Sequence, residues 1–140
     1  MAGEVVLAAS AARVTTAGTN GTAQPIGVYW RRVTVVLDVT ASATAAADTA
    51  SVYVDLSPDG TKWLNAGRFA TQAGDGTAKT EFMVLGQENP GTATFAVTSD
   101  CAAGVVRPAV CGKYIRARWV IVDAGGADTS HTFSVKAYVV

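Results

Sequence analysis

The chain has 140 residues, of which 49% are hydrophobic and only 16% are charged. This length favours one domain with its own core, and no apolar run approaches the ~18–20 residues that span a bilayer. Eleven basic and eleven acidic residues give a formal net charge of zero, which argues against a nucleic-acid binder that relies on a basic field.

The first 27 residues are the least regular part of the sequence. Glu4–Ala9 and Ala12–Thr16 could form short strands, but large apolar side chains are few. Such a segment gains little from packing on its own domain, while fixing its backbone costs about 1–2 kcal/mol per residue. We therefore expect residues 1–27 to be an extended N-terminal arm that orders on a partner, ahead of one domain over residues 28–140. A regular hairpin is the alternative.

The clearest strand signal is Arg32–Ala41, in which Val33, Val35, Leu37 and Val39 share one parity. Side chains of a strand alternate between its two faces, so this run predicts one buried and one mostly polar face. The same alternation predicts strands at Ser51–Ser57, Thr61–Ala70 with a bulge near Gly67, Lys79–Leu85, Thr92–Thr98, Lys113–Val122 and His131–Val139.

Turn signals separate these segments, and no helix-forming stretch lies between them. Ser57-Pro58-Asp59-Gly60, for example, has proline and glycine where a tight turn requires them. The pattern predicts an antiparallel β-sandwich, jelly-roll or immunoglobulin-like, of about seven or eight strands. Its core is predicted to contain Val33, Val35, Leu37, Val39, Ile115, Ala117, Trp119, Phe133 and Val135.

Candidates for catalysis and metal binding are few. His131 is the only histidine, so a Ser-His-Asp or Cys-His arrangement would have to use it, yet it starts a strand, an ordinary place for a structural residue. Asp55 and Asp59 flank one turn, and Asp123 and Asp128 another, without a calcium-loop pattern. We interpret them as turn-capping residues, with a paired-carboxylate glycosidase site as the alternative. We predict no catalytic, cofactor-binding or metal residues.

The aromatic side chains admit two interpretations. Trp30, Trp63, Trp119 and Tyr114 could line a sugar-binding platform. Trp119 shares its parity with core residues, however, so packing in the core is the favoured interpretation.

Two arginines also admit two interpretations. Arg116 and Arg118 share the outward parity of one strand. They could pair with Asp38 or Asp55 across strands, for about 0.2–1 kcal/mol each, or contact an acidic surface on a partner.

The two cysteines, Cys101 and Cys111, are too few for a disulfide framework or a structural zinc site. A disulfide between them would close a short loop and contribute about 2–3 kcal/mol. Glu4 stands where a signal peptide would carry Lys or Arg. We therefore expect synthesis in a reducing cytoplasm, which favours thiols at first and leaves pairing in the mature protein open.

Several strand-and-turn motifs resemble small β-sandwich structural proteins of tailed bacteriophages. They are Leu37–Ala41, Val52–Trp63, Gly67–Phe69, Lys113–Trp119 and Phe133–Val135, which leave residues 86–112 as an apparent insertion and the N-terminal arm uncovered. The resemblance implies a virion component, with capsid decoration as one role. It implies no catalytic residue.

These observations lead to the hypothesis of a non-enzymatic capsid decoration (cement) protein without a cofactor. It would bind the major capsid protein on the capsid surface, beside neighbouring copies or as a homo-oligomer, and would stabilise the shell without contacting nucleic acid or membrane. Residues 1–27 and 86–112 would form the contact. The alternative is a carbohydrate-binding module on a phage tail or capsid, which an exposed, coplanar pair of tryptophans would favour.

Overall fold

The structure, a computed structural model, describes residues 3–14, 18–45, 47–86, 99–107, 110–124 and 130–140. These ranges contain eleven strands and no helix. The predicted strand Thr92–Thr98 lies outside the described residues. The strands are β1 (Gly3–Arg13), β2 (Thr19–Asn20), β3 (Gln24–Pro25), β4 (Arg32–Ala41), β5 (Thr49–Ser57), β6 (Leu64–Arg68), β7 (Gln72–Ala73), β8 (Lys79–Gly86), β9 (Val105–Val106), β10 (Tyr114–Val122) and β11 (His131–Val139).

The strands form two antiparallel sheets. The smaller sheet has the order β1-β11-β4-β8. The larger sheet has the order β2-β10-β5-β6-β9, with β3 also paired to β10 and β7 to β5. This arrangement confirms the predicted all-β fold, an antiparallel β-sandwich.

The core lies between the sheets and contains every residue predicted for it. Val33, Val35 and Leu37 of β4 have no exposed surface. Trp119 of the larger sheet meets Phe133 of the smaller sheet edge to face, with 5.6 Å between the ring centroids. The alternation in the sequence therefore identified the buried face of the strands correctly.

The N-terminal segment differs from the expected arm, because β1 is an edge strand of the smaller sheet. It pairs with β11 along its length. Leu7 is fully buried, and its carbonyl oxygen accepts a hydrogen bond from the Thr22 N–H at 3.2 Å. Residues 3–13 thus pack on their own domain, and the apolar contacts that we expected from a capsid subunit come from the sandwich itself.

The expected irregularity near Gly67 is present in β6. Gly67 pairs with Val54 and Asn65 with Asp55, which leaves Ala66 as an extra residue between them. Such a β-bulge bends a strand and redirects its side chains.

Candidate functional site

The outer face of the larger sheet is covered, so that β5 is buried on both sides. Val52 and Val54 face the core, while Tyr53 and Asp55 point away from it and are nevertheless buried. Arginine side chains contact these outward groups, and the segment of residues 99–107 contacts Asn65, which pairs with Asp55. Three cation–π contacts and three ion pairs lie on this covered face.

Asp55 is the centre of this charged group and is 2% exposed. Its Oδ2 accepts hydrogen bonds from Arg116 Nε at 3.2 Å and Arg118 Nε at 3.1 Å. Arg118 also donates to Asp100 at 2.6 Å. Burial lowers the pKa of Arg118, but the hydrogen bonds to Asp55 and Asp100 outweigh this effect and the pKa is raised. Of the interpretations that the sequence left open, pairing of both arginines with Asp55 is the one that the structure shows, and Asp38 lies on the other sheet.

The guanidiniums of Arg116, Arg118 and Arg68 also lie over the faces of aromatic rings. The guanidinium of Arg118 lies 4.2 Å from the centroid of the Tyr53 ring, and that of Arg68 lies 5.1 Å from it. Arg116 lies 4.2 Å above the ring of Trp63. These cation–π contacts fix the guanidiniums and cover the Trp63 ring.

Asn65 joins the segment of residues 99–107 to the sheet. Its Nδ2 donates to Asp55 Oδ1 at 3.0 Å, and its Oδ1 accepts from the Cys101 N–H at 2.9 Å. Arg107 donates to the Asn65 carbonyl oxygen at 3.1 Å. Residues 102–105 remain exposed above these buried bonds. The sheet therefore presents an anchored segment to solvent, a role for Asn65 that no pattern in the sequence signals.

The tryptophans do not form a sugar platform. Trp30 is 2% exposed and its Nε1 donates to the Gly112 carbonyl oxygen at 2.9 Å. Trp119 is buried in the core, and Tyr114 is half-buried at the start of β10. The core interpretation is correct for Trp30 and Trp119.

His131 is fully buried at the start of β11, opposite Arg13 of β1. Enclosed in this way, it does not face a surface where a substrate would bind. The structure places it as part of the sandwich interior.

The capping interpretation is correct for Asp59 and wrong for Asp55, which lies within β5 and pairs with arginines. Asp75, which that interpretation did not include, also caps a turn. Asp59 accepts from the N–H groups of Lys62 and Thr61, each at 2.8 Å, and these bonds hold its pKa well below the usual range. The hydroxyl and N–H of Thr77 do the same for Asp75. Both groups stabilise turns.

Within the described residues, no group of three or more His, Cys, Asp and Glu side chains could hold a metal ion. The same residues include no helix long and apolar enough to cross a membrane. Asp123 is exposed, and Asp128 lies outside the described residues.

The cysteines are present as thiols and are not joined to each other. Cys101 is buried and Cys111 is exposed. Burial raises the pKa of the Cys101 thiol.

The outer face of the smaller sheet carries apolar side chains that stay exposed. Phe82 is 71% exposed and Val84 44%. The strand register places Val6, Lys136, Val36 and Phe82 in one row across the four strands. The sequence did contain a signal for this surface, because two of the residues on the outward parity of β8, Phe82 and Val84, are large and apolar.

Comparison with known proteins identifies a fold and no family. No family model matches the chain, and no curated protein matches it. A chain in the "Structure of infectious bursal disease virus Gx strain" is similar, with a TM-score of 0.54 and 10% identity. The similarity covers 99% of this chain and 31% of that one, so this chain spans about a third of the viral chain's length. The two share a β-sandwich fold.

Proposed function

We propose that this chain is a non-enzymatic virion structural protein, and specifically a capsid decoration protein of a tailed bacteriophage. It would bind the major capsid protein on the capsid surface and stabilise the shell. The observation that carries the proposal is the fold, which the chain shares over almost its whole length with part of a chain in a virus structure. The phage-like motifs in Val52–Trp63 and Lys113–Trp119 support it.

The buried polar side chains that could take part in catalysis have structural roles instead. Asp55, Arg116 and Arg118 form a buried ion-pair group, and His131 is enclosed in the sandwich. A protein that only binds a partner can use its exposed surface, while these buried groups keep their structural roles. The buried Trp30 and Trp119 remove the feature that would favour a carbohydrate-binding module.

The segment of residues 99–107 is the surface that we propose for the capsid contact. Asn65 and Arg107 hold it on the sheet, so little conformational entropy remains to be lost when it binds. Val105, in strand β9 of this segment, is exposed. The segment belongs to the insertion that we expected to contact the partner, whereas residues 3–13 of the expected arm lie in the smaller sheet.

Co-sedimentation with undecorated capsids of the same phage tests this proposal. The wild-type chain should pellet with capsids and saturate at a fixed number of copies per capsid subunit. Val105→Asp places a charge on the proposed contact and should weaken binding at least tenfold. Val122→Asp is the matched control, because Val122 is also exposed but lies at the end of β10, and it should bind like the wild type.

Two results would overturn the proposal. A folded wild-type chain that stays in the supernatant at all capsid concentrations would contradict decoration itself. Equal binding by Val105→Asp and the wild type would contradict the choice of residues 99–107 as the contact. Circular dichroism of each variant controls for folding.

A further inference from the structure

The outer face of the smaller sheet has a regular arrangement of side chains. One row contains Val6, Lys136, Val36 and Phe82, from β1, β11, β4 and β8 in that order. The neighbouring row contains Glu4, Tyr138, Thr34 and Val84 in the same strand order. Apolar groups therefore stand at both edges of the sheet, in β1 and in β8.

Charge on this face is balanced within one copy, because Glu4 and Asp38 lie on the same outward parity as Lys136 and Arg32. Lys136 Nζ lies 3.0 Å from Glu4 Oε1 in an exposed ion pair, and Asp38 accepts a hydrogen bond from the Thr80 hydroxyl at 3.0 Å. The whole chain has a formal net charge of zero. Two copies of this face would therefore approach without strong repulsion.

Exposed apolar side chains in one contiguous patch mark interaction surfaces more often than single exposed residues do. Phe82 is the most exposed large apolar residue on any described strand. We propose that two copies of this chain associate through the outer faces of their smaller sheets, with Phe82 at the contact. This inference concerns the chain in solution and does not rest on capsid binding.

A two-fold axis parallel to the strands, between β11 and β4, fits the two rows. It places β1 of one copy over β8 of the other, so Phe82 lies over Val6. It also places Lys136 over Val36, where the lysine stem can pack while its ammonium stays with Glu4. In the row on the other side of Lys136 and Val36, Asp38 of one copy faces Ser134 of the other, a hydroxyl donor. No like-charged side chains of these rows meet across the contact.

The available area is sufficient for a weak dimer. Four strands spaced by about 4.8 Å, over eight residues of about 3.3 Å each, present on the order of 500 Å² per copy. Two such faces would bury about 1,000 Å², below the roughly 1,200 Å² of stable interfaces and within the range of weak, transient ones. The dimer should therefore depend on concentration in the micromolar range or above.

Sedimentation velocity over about 1–500 μM tests the association with the full chain. The wild type should shift from monomer to dimer, and Phe82→Ser should raise the dissociation constant at least tenfold. Tyr29→Ser is the matched control, because Tyr29 is an aromatic residue that is 91% exposed and lies outside the sheets. It should leave the dissociation constant unchanged.

Cross-linking tests the arrangement. In a Cys111→Ser background, Phe82→Cys and Val6→Cys proteins mixed under mild oxidation should form the mixed disulfide faster than either disulfide of like chains. A faster link between two Phe82→Cys chains would overturn the proposed axis.

Three other results would overturn the dimer. They are a wild type that stays monomeric at every concentration, a dimer that Phe82→Ser does not weaken, and a dimer that Tyr29→Ser weakens equally. If the wild type is monomeric and Phe82→Ser abolishes capsid binding, the face belongs to the capsid contact and the dimer is refuted.

Discussion

Arg118 reaches across from β10 to Asp55 of β5, and its Nε donates to Asp55 Oδ2 at 3.1 Å. The same guanidinium donates to Asp100, which belongs to the segment that covers the sheet. Arg118 thus links the nearly buried carboxylate of Asp55 in the sandwich to Asp100 in the segment of residues 99–107. The stability of the proposed contact surface depends on this link.

Replacing Asp55 with Ala should be strongly destabilising, by about 3–5 kcal/mol, because it leaves two largely buried arginines without their counter-charge. The measurement is the free energy of unfolding in urea. Asp38→Ala is the control, since Asp38 lies on an open sheet face and should lose about 0.5 kcal/mol or less. Similar small losses for both variants would contradict the central position of Asp55.

Gly21 tests whether β1 is docked on the sandwich. A Cβ at this position would lie 2.4 Å from the Leu7 carbonyl oxygen, so Gly21→Ala should cost about 1–3 kcal/mol of stability through overpacking. Gly3→Ala should have little effect, because nothing lies within 4 Å of the added Cβ. If thermal unfolding shows the two variants to be equally stable, β1 is not held at Leu7 and an arm that orders on a partner becomes the better interpretation.

Asp59 should make stability depend on acid pH. The N–H groups of Lys62 and Thr61 lower its pKa in the folded protein below the 3.8 of an unperturbed group. The unfolded chain therefore binds more protons, so the contribution of Asp59 is present above about pH 4 and is lost as the pH falls towards the folded pKa. In Asp59→Asn the unfolding free energy should fall less steeply from about pH 4 to pH 2. Parallel curves for the two proteins would contradict this role.

The cysteines should differ in reactivity. Cys111 is exposed, whereas Cys101 is buried and burial raises its pKa, so native alkylation should label Cys111 first. Cys101 should react only after unfolding. Mass spectrometry of alkylated, unreduced protein is the measurement. Protein from mature particles that takes up no label even when unfolded would instead contain the disulfide.

The alternation in the sequence was sufficient to predict β4, β10 and β11. In β4 and β11 of the smaller sheet only the inward face is buried, so apolar and mostly polar residues alternate, with the outward Val36 of β4 as the exception. The sequence indicated short strands at Glu4–Ala9 and Ala12–Thr16 but not the one docked strand β1, because the pairing of β1 shifts register between Val6 and Ala8 and again between Ala8 and Ala11. Each shift breaks the two-residue period on which the prediction depends.

The covered face was only partly predictable. The outward parity of Arg116 and Arg118 indicated pairing across strands, but the choice between Asp55 and Asp38 depends on which strand lies beside β10. That order is set by the topology of the whole chain. The anchoring role of Asn65 depends on a bulge and on a segment distant in sequence, so no local pattern could indicate it.

Cryo-electron microscopy of undecorated capsids incubated with this chain tests the proposed function most directly. The account predicts additional density of about this domain's size at regular positions on the shell, with residues 99–107 facing the major capsid protein. A shell without added density at saturating concentrations of folded protein would contradict the decoration role.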